Sequence, residues 1–309
     1  MNRAAGDALR TDILQALQQD SFAVLELSDI LNVPQPALSH HLKILLNAGL
    51  VAQRREGNNI FYRRALIAPN NPLARLMRGI FGNLDELPMA AELQRGIEAV
   101  HRKRSTISRN YFTTHAREFR SHQARIGSAG VYASVVLDML MASNCGRQRV
   151  LEVGPGSGEL MTCLIGKFDS VCAIDNAEAM LEQTRTELQT QGIDTVDFIL
   201  SDFNDLEIDT PVDAIVAGMV LHHLPSPAYF FRQAARLMHP QGVLVVAELC
   251  QHDQNWVRQA CGDLWLGFPP EELDELAISA GFRSGQSQYL AQKNGFRIQV
   301  RCYTKAAER

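Results

Sequence analysis

The segment Val150-Leu-Glu-Val-Gly-Pro-Gly-Ser-Gly158 decides the fold of the second half of this 309-residue chain. It is a short apolar strand that carries Glu152 and runs into a turn with glycine at alternate positions, Gly154, Gly156 and Gly158. Glycine lets backbone N–H groups approach a ligand closely, because no Cβ is in the way. The sequence therefore predicts a ligand site at the carboxyl end of this strand.

A second apolar strand, Val171-Cys-Ala-Ile-Asp175, follows and ends in an acid. An acid at the tip of the second strand, beside a glycine-rich first turn, is placed to accept hydrogen bonds from ribose hydroxyls. The spacing here is acid-x-Gly-x-Gly-x-Gly, whereas a dinucleotide site has Gly-x-Gly-x-x-Gly, so an NAD-type site is disfavoured. The pattern resembles the first motif of class I S-adenosylmethionine (SAM)-dependent methyltransferases.

Strands and helices alternate from residue 149 onward, which predicts a parallel sheet with helices on both faces. The tail Phe296–Tyr303 alternates apolar and polar residues and predicts an antiparallel edge strand. We expect an α/β, Rossmann-like class I methyltransferase fold with a seven-stranded, mostly parallel sheet. The predicted strands are 149–153, 171–175, 196–200, 212–217 and 243–248, and the predicted helices are 158–167, 177–192 and one ending at Leu237.

The resemblance is to UbiE-like (type 11) methyltransferases, and it implies roles for residues at the strand ends, where such sheets bind ligands. Glu152 and the glycine turn would hold the methionine and ribose portion of SAM or S-adenosylhomocysteine (SAH). Asp202 would accept from the adenine amino group, and Phe203 would flank the ring. The implied cofactor contacts are Tyr111, Glu152, Gly154, Gly156, Gly158, Asp175, Asn176, Asp202, Phe203 and Met219.

His222 and His223 are the candidate catalytic residues, in a segment that resembles the family sequence beneath the sulfonium. Methyl transfer is an in-line displacement, so positioning and desolvation do most of the catalysis. A base helps only when the acceptor must lose a proton. A structural role is the alternative for both histidines. Residues expected in an acceptor pocket are His252, Trp265 and Phe268, with packing as the alternative for the two aromatic residues.

The first part of the chain predicts a helix-turn-helix. Apolar positions at helical spacing predict helices over residues 5–17 and 27–33, the second with Ser28 as its N-cap. A third helix covers residues 34–49, because a proline suits its first turn and Gly49 suits its C-terminal cap.

Two strands follow, at residues 50–55 and 60–64, joined by Glu56-Gly-Asn-Asn59. Gly and Asn tolerate the positive φ that a hairpin turn requires. Helices followed by a hairpin form a winged helix-turn-helix, and the segment Ala37–Val51 resembles the recognition helix of ArsR-type repressors. A winged helix used only for protein docking or dimerisation is the alternative.

The ArsR resemblance implies a homodimer that binds double-stranded DNA, with recognition helices in the major groove and wing arginines at phosphates. ArsR-type sensors often carry a cysteine pair in the helix before the recognition helix. Here Leu25–Ile30 has no cysteine, and residues 1–144 contain none. We therefore expect no metal site. The implied DNA contacts are Gln35, Ser39, His40, Lys43, Arg54, Arg55 and Arg63.

Charge is unevenly distributed along the chain. Residues 1–125 contain 17 Lys and Arg against 11 Asp and Glu, and residues 126–309 contain 13 against 23. A basic first part favours a polyanionic partner, and pairing with the acidic second part is the alternative. We predict a winged-helix domain over 1–68, a helical dimerisation connector over 69–125 and a methyltransferase domain over 126–309.

The six cysteines include no C-x-x-C pair, which argues against a disulfide scaffold and a zinc ribbon. No signal pattern precedes the first helix and no apolar run approaches about 20 residues, so we expect a cytoplasmic protein without a membrane partner.

Segments Glu248–Asp253 and Asp263–Phe268 resemble a subgroup in which an ArsR-type domain is fused to a methyltransferase. The sequence thus predicts a SAM-dependent methyltransferase that acts on a small molecule and carries a DNA-binding regulator domain. A repressor that senses SAM or SAH without turnover is the alternative. Arsenite methylation is disfavoured, because Cys250 and Cys261 are too few thiolates for that chemistry.

Overall fold

The structure is a computed structural model that describes residues 1–57, 59–67 and 71–307. The chain divides into a first unit, residues 1–104, and a second unit, residues 105–309. The division differs from the predicted boundaries after residues 68 and 125, and Ala68 and Pro69 lie outside the described residues. It falls inside the helical segment Ala91–Ala124, which is kinked at His115, because Leu93 and Val100 of that segment join the core of the first unit.

The first unit combines helices with a small antiparallel sheet, whose strand order is β1-β3-β2. The strands β2 and β3 form the predicted wing, and Asn58 in its turn lies outside the described residues. The elements are α1 (Asn2–Ala5), α2 (Ala8–Ala16), β1 (Phe22–Ala23), α3 (Val24–Leu31), α4 (Gln35–Asn47), β2 (Val51–Glu56), β3 (Asn59–Arg64), α5 (Ala74–Glu86) and α6 (Ala91–Ala124).

The recognition helix α4 forms where the sequence predicts it. Its residues Leu38, Leu42 and Leu45 are fully buried and pack on α2 and α3, so one apolar stripe fixes the helix to the core. The chain leaves the helix through Gly49, whose φ of 69° lies in the left-handed region that glycine adopts at little cost.

The predicted start of α3 at Ser28 was wrong. The helix begins at Val24, and the Ala23 N–H at its N-cap donates to the Glu26 carboxylate over 2.8 Å. Ser28 lies inside the helix, and its hydroxyl donates to the Val33 carbonyl. The acid in the first turn satisfies an otherwise unpaired backbone donor, so it determines where the helix starts.

The second unit contains a seven-stranded sheet with strand order β6-β5-β4-β7-β8-β10-β9, as predicted. The first five strands in this order are parallel, and β10 is antiparallel to both neighbours. The elements are α7 (Ala129–Ala142), β4 (Arg149–Val153), α8 (Glu159–Leu164), β5 (Ser170–Asp175), α9 (Glu178–Thr190), β6 (Val196–Leu200), β7 (Val212–Gly218), α10 (Pro227–Leu237), β8 (Met238–Leu249), α11 (Trp256–Ala260), α12 (Pro270–Ser279), β9 (Phe282–Ala291) and β10 (Arg297–Lys305).

The tail strand β10 is not the sheet edge, so that prediction was wrong. Most residues of β10 are buried, with Ile298 and Val300 in the core that contains α7 and Tyr303 packed on Phe231. The edge strand is β9, whose side chains are almost all exposed. A strand between two neighbours has both of its hydrogen-bonding edges paired, whereas an edge strand leaves one edge open and can face water with polar side chains.

Among the described residues, every helix is too short or too polar to span a bilayer. The parallel strands β4, β5, β6 and β7 all end on one side of the sheet. The polar residues that follow them therefore meet there.

Candidate functional site

A cleft in the second unit opens at the carboxyl ends of these strands. It encloses about 850 Å³ of free space, its mouth included, which is within the range of small-molecule sites. Its polar lining is Ser108, Gln123, Glu152, Ser157, Asp175, Asn176, Ser201, Asp202 and His223, and its apolar lining includes Phe112, Tyr132, Met180, Phe203 and Met219.

The glycine turn follows β4 as the sequence predicts. Gly154, Gly156 and Gly158 have φ of 65°, 56° and 75°, in the region that disfavours a side chain. Gly154 and Gly156 line the cleft. Gly158 instead precedes α8 and packs on α9, since a Cβ there would lie 3.1 Å from Thr184 Cγ2.

Glu152 carries a buried carboxylate on the cleft wall. It is 2% exposed, and its Oε2 accepts no hydrogen bond from any residue that the structure describes. Burial raises the pKa of this carboxyl well above its usual range. Because an unsatisfied buried acceptor costs free energy, this oxygen is placed for an N–H or O–H donor of a ligand.

Asp175 and Asn176 lie at the end of β5 and both line the cleft. The Asp175 Oδ1 accepts from the Ala177 N–H over 2.8 Å. Burial raises the pKa of Asp175 to about 6, against the opposing effect of the Ala177 and Asn176 backbone N–H groups. Backbone N–H groups thus hold the carboxylate at the end of β5, and at neutral pH its ionised form is only weakly favoured over the protonated acid.

Asp202 and Phe203 follow β6 and form the far end of the cleft. The Asp202 carboxylate accepts from the Asn204 N–H over 3.0 Å and from the Ser105 hydroxyl over 2.9 Å. Phe203 is buried against Phe230, with ring centroids 5.1 Å apart. This end of the cleft therefore combines an aromatic ring with a fixed acceptor.

Met219 follows β7 and has a φ of 57°, which is unusual for a residue with a side chain. Its N–H donates to the Ala247 carbonyl over 2.7 Å, which holds the turn in this conformation. The side chain lies between the cleft and a smaller cavity and lines both.

Tyr111, predicted to contact the cofactor, lines the smaller cavity instead of the cleft. Its hydroxyl donates to the Ala260 carbonyl, and its ring stacks on His115 with centroids 4.4 Å apart. The next residue, Phe112, lines the cleft and packs edge-on against His223. Helix α6 thus places one aromatic side chain on each cavity.

His222 is sealed against Glu248 of β8. The ring Nδ1 of His222 lies 2.6 Å from Glu248 Oε1, and the backbone N–H of His222 donates to Glu248 Oε2 over 3.1 Å. Burial lowers the pKa of His222, but the charges of Glu248 and Asp263 outweigh burial and raise it to about 9. Burial and the His222 charge lower the pKa of His223 well below its usual value. His223 alone of the pair reaches the cleft.

The smaller cavity adjoins the cleft and shares Gln123, Met219 and His223 with it. It encloses about 310 Å³ of free space, its opening included. Its remaining lining is Tyr111, Ile126, His222, Cys261 and Asp263.

The predicted acceptor-pocket residues His252, Trp265 and Phe268 line neither cavity. Trp265 donates its indole N–H to the Leu224 carbonyl over 2.8 Å, and Phe268 is 1% exposed in the core. His252 packs edge-on against Phe296, and burial lowers its pKa to about 4. Trp265 and Phe268 therefore belong to the interior of the second unit, in line with the packing alternative, whereas His252 is half-buried.

The first unit presents the predicted DNA-contacting face. The side chains of Gln35, Ser39, His40 and Lys43 are exposed along α4, and Arg55 is exposed on the wing. The wing residues Arg54 and Arg63 are less accessible. Arg54 is 12% exposed and lies 2.6 Å from the buried Glu56 carboxylate, so it stabilises the wing itself.

Sequence reasoning missed Ser108, Phe112, Tyr132, Glu248 and Asp263 as site residues. The position of Phe112 beside Tyr111 could have identified it. Asp263 could have been identified as an acid beside apolar residues just before Trp265. Glu248 could have been identified as the acid at the end of a predicted strand. Ser108 and Tyr132 carried no such signal, because they reach the site from helices without a motif.

Comparison with known proteins separates the two units. Residues 7–53 match the family model "Bacterial regulatory protein, arsR family", and residues 151–246 match "Methyltransferase domain". The chain joins an ArsR-family regulator domain to a methyltransferase domain. This fusion was expected from the recognition helix and the glycine turn.

Two relatives of the ArsR–methyltransferase fusion each match a part of the chain. The HTH-type transcriptional repressor SmtB of Mycobacterium tuberculosis is 44% identical over 63 residues, which are 20% of this chain and 47% of the repressor. The ubiquinone biosynthesis O-methyltransferase of Xylella fastidiosa is 36% identical over 103 residues, 33% of this chain and 42% of that enzyme. The chain thus spans less than half of either relative.

One solved structure supports the fold of the second unit. Magnesium protoporphyrin IX methyltransferase from Synechocystis PCC 6803 superposes with a TM-score of 0.54 at 17% identity. The match covers 66% of this chain and 100% of that enzyme, so the whole enzyme corresponds to a part of the fusion.

Proposed function

We propose that the second unit binds SAM and transfers its methyl group to a small-molecule acceptor. The buried Glu152 carboxylate carries this proposal, because its Oε2 has no donor among the described residues and lies beside the positive-φ glycine turn. The structural neighbour from Synechocystis was crystallised with SAH, and the Xylella relative is named an O-methyltransferase. When bound, SAM supplies an electrophilic methyl group on a sulfonium.

The side chains of the cleft fit such a cofactor from end to end. Glu152 would accept from donors of the methionine portion, and Asp175 would accept from the ribose hydroxyls. Asp202 keeps acceptor capacity beyond its contacts to Ser105 and Asn204, and it lies beside Phe203, where an adenine ring would stack.

The acceptor would enter through the smaller cavity. Met219 and His223 line both cavities and therefore separate cofactor from acceptor. Of the two predicted catalytic histidines, His223 is the one placed to touch the reacting groups. His222 is committed to Glu248, so we assign it a positioning role. These residues orient the acceptor and exclude water, which is the main requirement of an in-line displacement.

We propose that the first unit binds double-stranded DNA as a homodimer. The exposed polar face of α4 and the exposed Arg55 support this assignment, and the Mycobacterium relative is named a transcriptional repressor. The regulator would then act on a promoter while the second unit handles a small molecule.

Calorimetric titration with SAM and with SAH tests the cofactor assignment. We expect the wild-type protein to bind both ligands. Asp175→Ala should lower the affinity for each at least about tenfold, because a charged hydrogen-bond acceptor is lost. Asp194→Ala, at an exposed acid after α9, is the matched control and should bind normally. Equal affinity in both variants would exclude the ribose role of Asp175.

A further inference from the structure

A cluster of three buried side chains lies at the smaller cavity. His222 and His223 come from the turn after β7, and Asp263 comes from the loop after α11. They are 2%, 7% and 3% exposed, and one potential ligand atom from each lies within 4.8 Å of the others. Two imidazoles and a carboxylate thus converge from distant parts of the sequence.

The hydrogen bond from Glu248 prepares His222 for a further ligand. Glu248 Oε1 lies 2.6 Å from the Nδ1 of His222, which leaves the Nε2 as the atom available on the other side of the ring. Glu248 is itself fixed by the Leu249 N–H. A carboxylate behind a histidine fixes the ring orientation and tautomer, as it does around metal-binding histidines.

The small cavity gives the cluster an open side. Cys261 and Met219 line the same cavity and add sulfur atoms to its wall. Because His223 and Met219 also line the cleft, a ligand on this open side would face the proposed cofactor.

Although the sequence predicts no metal site, we propose that His222, His223 and Asp263 bind a divalent first-row transition metal ion. Two histidines and one carboxylate with open positions form a ligand set typical of Fe²⁺, and zinc uses similar donors. Bonds of about 2.0–2.2 Å would bring the ligand atoms closer together than 4.8 Å, so the rings shift slightly on binding. The open positions would take an oxygen or sulfur atom of an acceptor. The site stands on these side chains alone and does not depend on the cofactor assignment.

Titration of chelator-treated protein with Co²⁺, followed by its visible absorption, tests the site, and competition with Zn²⁺ gives the affinity. We expect one equivalent to bind the wild-type chain. Asp263→Asn and His223→Gln should lose binding, and Glu248→Gln should weaken it by about 10- to 100-fold. His252→Gln changes a half-buried histidine of the same unit, packed against Phe296, and should bind metal normally.

SAH titration of the same preparations keeps the two proposals separate. Of the two cavities, Asp263 lines only the smaller one, so an Asp263→Asn protein that retains SAH binding but loses Co²⁺ is folded and supports the metal site. A wild-type protein that binds SAH but no stoichiometric Co²⁺ would overturn the metal site and leave the methyltransferase proposal standing. Unchanged Co²⁺ affinity in Asp263→Asn would overturn it as well.

Discussion

Arg104 of α6 forms a bidentate ion pair with Glu26 of α3, with nitrogen–oxygen distances of 2.8 and 2.6 Å. The guanidinium is 6% exposed and also donates to the Ser21 carbonyl. Glu26 in turn accepts from the Ala23 N–H at the start of α3. One buried pair thus joins the end of the first unit to the helix that precedes the recognition helix.

Removing Arg104 should destabilise the first unit. Arg104→Ala leaves Glu26 without this cation. Breaking a fully buried pair on one side costs about 3–5 kcal/mol, and because the Glu26 side chain is 24% exposed the cost here should lie at or below the lower end of that range. Chemical denaturation measures this change. Arg102→Ala, whose side chain is 70% exposed, should change the free energy of unfolding by less than about 0.5 kcal/mol. Similar costs for the two variants would contradict a structural role of the Arg104 pair.

Phosphate contacts made by the wing and the recognition helix should appear in the salt dependence of DNA binding. Lys43→Ala and Arg55→Ala should each weaken binding to duplex DNA and reduce the slope of log K against log salt by about 1. Fluorescence anisotropy over a range of salt concentrations measures this slope. Arg95→Ala, at an exposed site on α6, serves as the charge-matched control and should leave the slope unchanged.

Arg54 should behave differently from Arg55 because it pairs with the buried Glu56. Arg54→Ala should lower the free energy of unfolding, since it leaves that carboxylate without this cation. The DNA salt slope of the folded variant should stay near the wild-type value. A reduced slope with unchanged stability would place Arg54 at a phosphate instead.

Affinity for SAH should depend on pH through Asp175. Burial raises the pKa of this carboxyl to about 6, and only the carboxylate accepts from two ribose hydroxyls. The dissociation constant should therefore be level above pH 6 and rise by up to about tenfold per pH unit below it. In Asp175→Asn this transition should be absent. SAH titrations between pH 5 and 8 measure this dependence. The same pH profile in the wild-type protein and in Asp175→Asn would contradict the ribose role of Asp175.

A Cβ in the glycine turn should perturb it more than backbone strain alone. Gly154→Ala places a methyl group 2.6 Å from Val220 Cγ2 at a φ of 65°. Gly192→Ala has a similar φ of 74° with open space around it. Gly192→Ala should lower the free energy of unfolding by about 1–2 kcal/mol because of its φ. Gly154→Ala should lower it further and should also weaken SAH binding. Thermal unfolding and calorimetry separate the two effects.

Strand-end residues were predictable because parallel topology fixes where they meet. Glu152 lies one residue before the end of β4 and Asp175 ends the neighbouring parallel strand β5, so a strand assignment alone brings them to one edge. The partnership of His222 with Glu248 was not predictable, because these residues lie 26 positions apart and their contact depends on the side-chain orientation of a buried strand. Asp263 reaches the cluster from a loop, which has no periodicity to reveal its position.

Two fold predictions failed because competing signals have similar strength. Ser28 and Glu26 both carry oxygens suited to a helix start, and the sequence does not show which one the backbone uses. The exposed strand β9 contains the polar run Ser284-Gly-Gln-Ser-Gln288, which lacks the apolar alternation of a half-buried strand. Its pairing with β10 comes from backbone hydrogen bonds at the sheet edge.

Glu152→Gln tests the central claim most directly. The substitution keeps the shape of the side chain and removes a buried carboxylate whose Oε2 accepts no hydrogen bond from the described part of the chain, so the ligand-free protein should be as stable as the wild type or more stable. SAH affinity, measured by calorimetry, should fall at least about tenfold. Unchanged SAH affinity in this variant, or no SAH binding by the wild-type protein, would contradict the cofactor site.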